Sequence, residues 1–182
     1  MQALADVLLG MGHKITGSDI QDFPERNRME RKGAKVIIGE QVPQNVPTDI
    51  DGLIYTSAAV RHHHTHPEIE QAKAMNKPVW KRSEFIGTLM AGKMGVAVSG
   101  THGKTTTSTL ITLMLQEGGL DPTALIGAEV KSLQGCGILG QSQYMVVEAC
   151  EYDRSFLDMQ PKIAVITNID ADHLDYYQDI NE

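Results

Sequence analysis

The sequence predicts an α/β fold, with parallel sheets covered by helices on both faces and arranged in two successive series. Three observations carry this. Short β-branched runs alternate with segments of helical apolar spacing along the 182 residues. Residues 144–149 (YMVVEA) and 163–168 (IAVITN) are apolar at successive positions, as in strands buried on both faces. A strand at 95–99 (GVAVS) runs through a Gly-rich turn into a helix, the arrangement by which such folds meet phosphate.

Taken in order, residues 3–11 predict a helix from Leu4, Val7, Leu8 and Met11, stopped at Gly12. Residues 13–18 predict a short strand ending at Asp19. A short polar helix over 27–32 closes at Gly33, and the β-branched run 34–38 follows. Residues 52–57 (GLIYTS) predict a third strand, buried on both faces. Pro67 suits the first turn of a helix reaching about Met75, and residues 78–80 form a strand before a helix at 83–90. The stretch 90–94, with Gly92, predicts a link, so the chain divides into units 1–92 and 93–182. In the second unit the strand 95–99 leads to a helix over 104–118 with an apolar face of Leu110, Leu113 and Met114.

Composition excludes several classes. An apolar fraction of 41% supports a core and excludes a disordered chain. No apolar run approaches the roughly 18 residues of a membrane span, and no charged-then-apolar leader follows Met1. Two cysteines, Cys136 and Cys150, form no disulfide framework. The expectation is a cytoplasmic protein with no membrane partner. A net charge of −7 argues against nucleic acid as a partner. That charge is uneven: residues 1–92 hold 11 Lys/Arg and 11 Asp/Glu, whereas 93–182 hold 5 and 12. The acidic run from Glu148 onward is either a solvated face or a site that binds a cation together with a phosphate ligand.

The strongest chemical signal is Ser99, Gly100, Thr101, His102, Gly103, Lys104, Thr105, Thr106, Thr107. Glycines let the backbone approach phosphate, N–H groups at the helix start favour the anion, and Lys104 adds a point charge. A threonine directly after such a lysine can ligate Mg²⁺. The general pattern has four residues between its glycines; here there are two, with Val98 where the first glycine would stand, so the turn is a compact variant. Glu148 at a strand end and His173 beyond the next strand suit a metal site facing the turn. Either alone has a plainer reading, as a strand-end charge or a helix-start residue. His102 reads as a residue that fixes the turn or touches substrate rather than a general base. His62, His63, His64 and His66 read as an exposed loop, with no regularly spaced partner to complete a metal site. Asp19 is either a ribose-binding acid or a turn cap.

GTHGKTTT (100–107), VEACEYDRSFL (147–157) and ITNIDADHLDYY (166–177) resemble the central-domain signatures of the Mur ligases. GSD (17–19), TSAAV (56–60), HPE (66–68) and KRSEF (81–85) are similar to that family's UDP-sugar-binding domain. The resemblance covers essentially the whole chain. It implies a partial Rossmann-like UDP-binding domain followed by the front part of a P-loop-type central ATPase domain. It also implies an expectation about the ends: the first strand and Gly-rich loop of the first domain, and a third domain, lie outside these residues, which would leave a sheet edge exposed.

Within the family the resemblance is nearest to members that join L-alanine to UDP-N-acetylmuramate, ahead of those that use a murein tripeptide. It implies ATP and Mg²⁺ as cofactors and ATP-dependent amide formation in peptidoglycan precursor synthesis. By similarity Gly100 to Thr106 hold the ATP phosphates, with Lys104 on the β/γ-phosphates. Thr105 and Glu148 hold one Mg²⁺, and His173 a second. Asp19, Ser57, Ala58, Arg154 and Ser155 contact the UDP-sugar acid. Cys150 stands where many relatives carry Asp, leaving Glu148 and Glu151 as the nearby acids. A nucleotide-binding module without turnover is the alternative reading.

Overall fold

The computed structural model describes residues 1–60, 65–133, 135–171 and 176–179. Its second half is built on a five-stranded sheet of order β7-β6-β8-β5-β9. The strands are β5 (Met94–Ser99), β6 (Thr123–Val130), β7 (Gly135–Ile138), β8 (Tyr144–Glu148) and β9 (Ile163–Ile166). Central β8 runs parallel to β5 and β6, and β5 parallel to β9.

Because side chains alternate along a strand, each strand feeds both faces. Val96, Val98, Ala124, Ile126 and Val146 point one way and pack with Ile111, Leu113 and Leu115 of α6 (Lys104–Glu117). Ala97, Leu125, Met145 and Val147 point the other way, onto Leu4, Val7 and Leu8 of α1 (Gln2–Gly10) and Ile86 and Met90 of α5 (Arg82–Met90). The larger apolar cluster thus draws on both sides of residue 92. The α1 helix is tied in further by Asp6, whose wholly buried carboxylate pairs with Arg28 at 2.8 Å and Lys32 at 2.9 Å.

The first half adds β1 (Thr16–Asp19) parallel to β2 (Lys35–Ile38), and β3 (Leu53–Tyr55) parallel to β4 (Val79–Lys81). The helices α2 (Arg26–Arg31), α3 (Ser57–Val60) and α4 (Pro67–Ala74) complete it.

The α/β class and the order of elements are as expected, with several corrections. The first-half strands pair two and two rather than in one sheet, and β3 is half-buried, not enclosed on both faces. Two unforeseen strands, β6 and β7, run antiparallel to one another, so the large sheet is mixed. The strand β9 is largely exposed because, among the described residues, it pairs with β5 alone at the sheet edge. The expected apolar face of α6 is also displaced. Leu110 is 55% and Met114 72% exposed, while Ser108 and Thr112 are fully buried. Their hydroxyls donate to the carbonyls of Lys104 and Ser108, both at 2.7 Å, so no donor is left unsatisfied and the small side chains let the helix sit close to the sheet.

Candidate functional site

The turn between β5 and α6 is built on two glycines in the left-handed region, Gly100 (φ +127°) and Gly103 (φ +80°). At Gly100 a Cβ would also collide with the Thr167 side chain, so both the angle and the space require glycine. Gly103 caps α6 with no side-chain bond. Thr107 is the first residue whose N–H reaches back into the helix, to the Gly103 carbonyl at 2.9 Å. The N–H groups of Lys104, Thr105 and Thr106 therefore have no intrahelical acceptor. The positive end of a 14-residue helix opens onto the turn.

Residues 167–170 hold the turn from outside. The His102 N–H donates to Asn168 Oδ1 at 2.9 Å, and the His102 carbonyl accepts from Asn168 Nδ2 at 2.9 Å and Thr167 Oγ1 at 2.6 Å. The Asp170 N–H donates to Thr101 Oγ1 at 2.9 Å. Thr167 and Asn168 thus position the turn, a role the sequence reading missed. Their signal was a Thr-Asn pair just past the strand 163–166.

Inside the turn, Lys104 Nζ donates to the carbonyls of Gly100 (2.5 Å) and Thr101 (3.2 Å) and pairs with both Glu151 oxygens at 3.0 and 3.1 Å. Thr105 Oγ1 donates to the Glu148 carboxylate at 3.0–3.1 Å, and the Gly127 N–H donates to Glu148 Oε2 at 2.7 Å. The Thr105 hydroxyl and the Glu148 carboxylate are hard oxygen donors of the kind Mg²⁺ takes, held together beside the turn, so this pair would fit the ion. His173 lies outside the described residues, and among those residues no group of three His, Cys, Asp or Glu is placed to hold a metal.

The segment after β8 joins this turn to the first half. Glu148 and Glu151 face the turn. Asp153 turns the other way, accepting from Ser57 Oγ at 2.6 Å and pairing with Lys81 at 2.7 Å. Burial works against the Asp153 carboxylate, but the bonds from Lys81 and Ser57 prevail and hold its pKa below the ordinary value. Asp153 (φ +55°) and Arg154 (φ +52°) are consecutive non-glycine residues in the left-handed region, a strained geometry that the surrounding contacts must maintain. Between the halves lies a cavity of about 160 Å³ whose walls include Ser57, Ala58, Arg82, Cys150, Tyr152 and Ser155.

Of the sequence-predicted substrate residues, Ser57, Ala58 and Ser155 therefore converge on one cavity. Arg154 is exposed and is not among its walls. Asp19 is exposed at the end of β1, where Oδ1 accepts from the Gln21 N–H at 3.1 Å, the contact of a turn cap. His66, expected in an exposed loop, is buried at the start of α4 with Nε2 2.9 Å from Gln41 Oε1. Burial follows from its place under the first turn of that helix. His62, His63 and His64 lie outside the described residues.

The family profile described as "Mur ligase family, catalytic domain" matches residues 1–105, and "Mur ligase middle domain" matches residues 98–182. The chain belongs to the Mur ligase family. Among its curated relatives, the UDP-N-acetylmuramate–L-alanine ligase of Clostridium kluyveri is 47% identical over 183 aligned positions, covering 100% of this chain and 39% of that protein. The enzyme of that name from Geotalea uraniireducens is 43% identical, again covering 100% of this chain and 39% of the relative. This Mur ligase chain thus spans about two-fifths of the length of the curated relatives it matches. A solved UDP-N-acetylmuramate–alanine ligase from Thermotoga maritima superposes with a TM-score of 0.85 at 27% identity, over 97% of this chain and 40% of that one. The structure of a UDP-N-acetylmuramate:L-alanyl-γ-D-glutamyl-meso-diaminopimelate ligase from Neisseria meningitides (TM-score 0.82, 24% identity, 98% of this chain and 60% of that one) shares the fold. Among the described residues, no helix is long and apolar enough to cross a membrane.

Proposed function

We propose that this Mur ligase chain supplies the nucleotide site and part of the acid-substrate site of an ATP-dependent ligase that joins L-alanine to UDP-N-acetylmuramate in peptidoglycan precursor synthesis. One observation carries this reading. The segment 148–155 faces the phosphate-type turn through Glu148 and Glu151 and the inter-half cavity through Cys150 and Ser155. A nucleotide in the first would lie beside an acid in the second. The names of the most similar curated relatives supply the substrates.

A carboxylate is a poor electrophile, so activation must precede amide formation. In the proposed reaction a lactyl carboxylate oxygen attacks the γ-phosphorus of ATP, the β–γ bridging P–O bond breaks, and ADP leaves. The amine of L-alanine then attacks the acyl carbon, loses a proton, and the C–O bond to phosphate breaks. This chain's contribution is positioning and charge. The N–H groups of Gly103 to Thr106 and the Lys104 ammonium hold the phosphates, with Gly100, Thr101 and His102 shaping the turn. Thr105 and Glu148 would hold Mg²⁺, with His173 as ligand to a second ion, and a cation held there would supply charge neutralisation on the phosphoryl oxygens.

Ser57, Ala58, Arg154 and Ser155 serve the acid substrate, and Asp19 its ribose. The units 1–92 and 93–182 are the substrate-binding and nucleotide-binding parts. Lys104→Ala, in a protein carrying this segment, is expected to abolish L-alanine-dependent ADP release. Unchanged turnover would remove the turn from the mechanism.

A further inference from the structure

The cavity between the halves contains a cation that the protein's own contacts leave uncompensated. Of the two adjacent basic residues on its wall, Lys81 is committed: it pairs with Asp153 at 2.7 Å and lies 4.0 Å from Asp158. Two wall hydroxyls are committed as well, Ser57 to Asp153 and Ser83 to Asp158 at 2.5 Å. Arg82, the first residue of α5, is different. Its Nε is buried without a hydrogen-bond partner, and among the described residues no carboxylate stands within ion-pair distance of its guanidinium. It shares the cavity wall with Cys150, two residues beyond Glu148 at the end of β8. Burying a guanidinium with an unmet donor is unfavourable unless an anion satisfies it. Its planar fork of donors also suits two oxygens of one group.

We infer that Arg82 is a binding residue for an oxyanion of the UDP-sugar acid seated in this cavity. The inference rests on the ligase reading above. Two parts of that substrate carry such oxygens, the lactyl carboxylate and the diphosphate. The place of Arg82 on the wall shared with Cys150, where the chain leaves Glu148 and the phosphate turn, favours the carboxylate, because that end must reach the transferring phosphate.

The test is a set of calorimetric titrations of the 182-residue chain and its Arg82→Gln and Arg82→Lys variants. Each is titrated with UDP-N-acetylmuramate, with UDP-N-acetylglucosamine, which lacks the lactyl group, and with UDP, and thermal melting serves as the folding control. Arg82→Gln is expected to bind UDP-N-acetylmuramate at least tenfold more weakly and the other two ligands unchanged. Arg82→Lys keeps the charge but not the fork and is expected to lose about threefold, a result that stands alone if the Gln variant does not fold. An equal loss for all three ligands supports the inference and assigns Arg82 to the diphosphate. Wild-type binding that either folded variant reproduces for every ligand overturns the inference while leaving the ligase reading intact. Failure of the wild-type chain to bind any of the three overturns both.

Discussion

Lys104 Nζ sits 3.0 Å from Glu151 Oε1 while donating to two carbonyls of the turn that leads into its own helix. The ammonium is thus folded back over the place a phosphate would take, with Glu151 supplying the negative charge. Phosphate must displace that carboxylate. Glu151→Gln removes the competing charge and is expected to tighten Mg-ATP binding about fivefold, corresponding to ~1 kcal/mol for a partly exposed pair. Equilibrium titration with Mg-ATP measures it.

Asp153 links the two halves through Ser57 and Lys81. Asp153→Asn keeps a residue tolerant of positive φ but loses the charge, and is expected to cost about 1 kcal/mol after allowance for partial exposure. Denaturant unfolding reads the loss. Its folded pKa is lowered, so the contribution is complete above the unfolded carboxylate pKa and fades as pH falls through the folded one.

Asp6 is the corresponding tie between α1 and α2. Burial works against its carboxylate, but the hydrogen bonds from Arg28 and Lys32 prevail and hold its pKa below the ordinary range. Asp6→Ala would leave the Arg28 guanidinium without its partner and is expected to destabilise the chain by about 3 kcal/mol, near the lower end for broken buried pairs. Because the folded pKa is depressed, wild-type stability should hold above the ordinary carboxylate range and fall as acid protonates Asp6. The Asp6→Ala variant should show a shallower acid dependence in thermal melts across that range.

The buried face of α6 makes a prediction in which two substitutions separate sharply. Leu110→Ala, on the exposed side, should change stability by no more than about 0.5 kcal/mol. Thr112→Leu, on the fully buried side, should cost about 1–3 kcal/mol through overpacking. Paired chemical denaturation curves test this, and the reverse order would mean that the helix buries Leu110 rather than Thr112.

The phosphate-type turn was legible because its signal is local: strand, glycines, Lys-Thr and helix are contiguous, and Glu148 marks the end of the neighbouring strand. What escaped was set by distant partners. The α6 face was misread because Leu110 and Met114 look apolar in sequence, whereas the closeness of sheet to helix selects Ser108 and Thr112. The β6–β7 pair was hidden by Gly127, Gly135 and Gly137, which blunt the alternation of apolar side chains. At Gly127 a Cβ would meet the Glu148 carboxylate, so its glycine belongs to the site rather than to a turn. Nothing near Arg82 in the chain announces that its neighbour Lys81 is neutralised and it is not, because Asp153 lies some seventy residues away in sequence.

The central claim is that the turn binds a metal-bound nucleotide phosphate through Lys104, Thr105 and Glu148. The most direct measurement is equilibrium titration of the wild-type chain, Thr105→Val and Glu148→Gln with ATP, with and without Mg²⁺. The account predicts that Mg²⁺ tightens wild-type binding and that each variant loses at least tenfold of the Mg-ATP affinity, with much smaller changes when Mg²⁺ is absent. Wild-type binding indifferent to Mg²⁺, or variants that bind Mg-ATP as the wild type does, would contradict it.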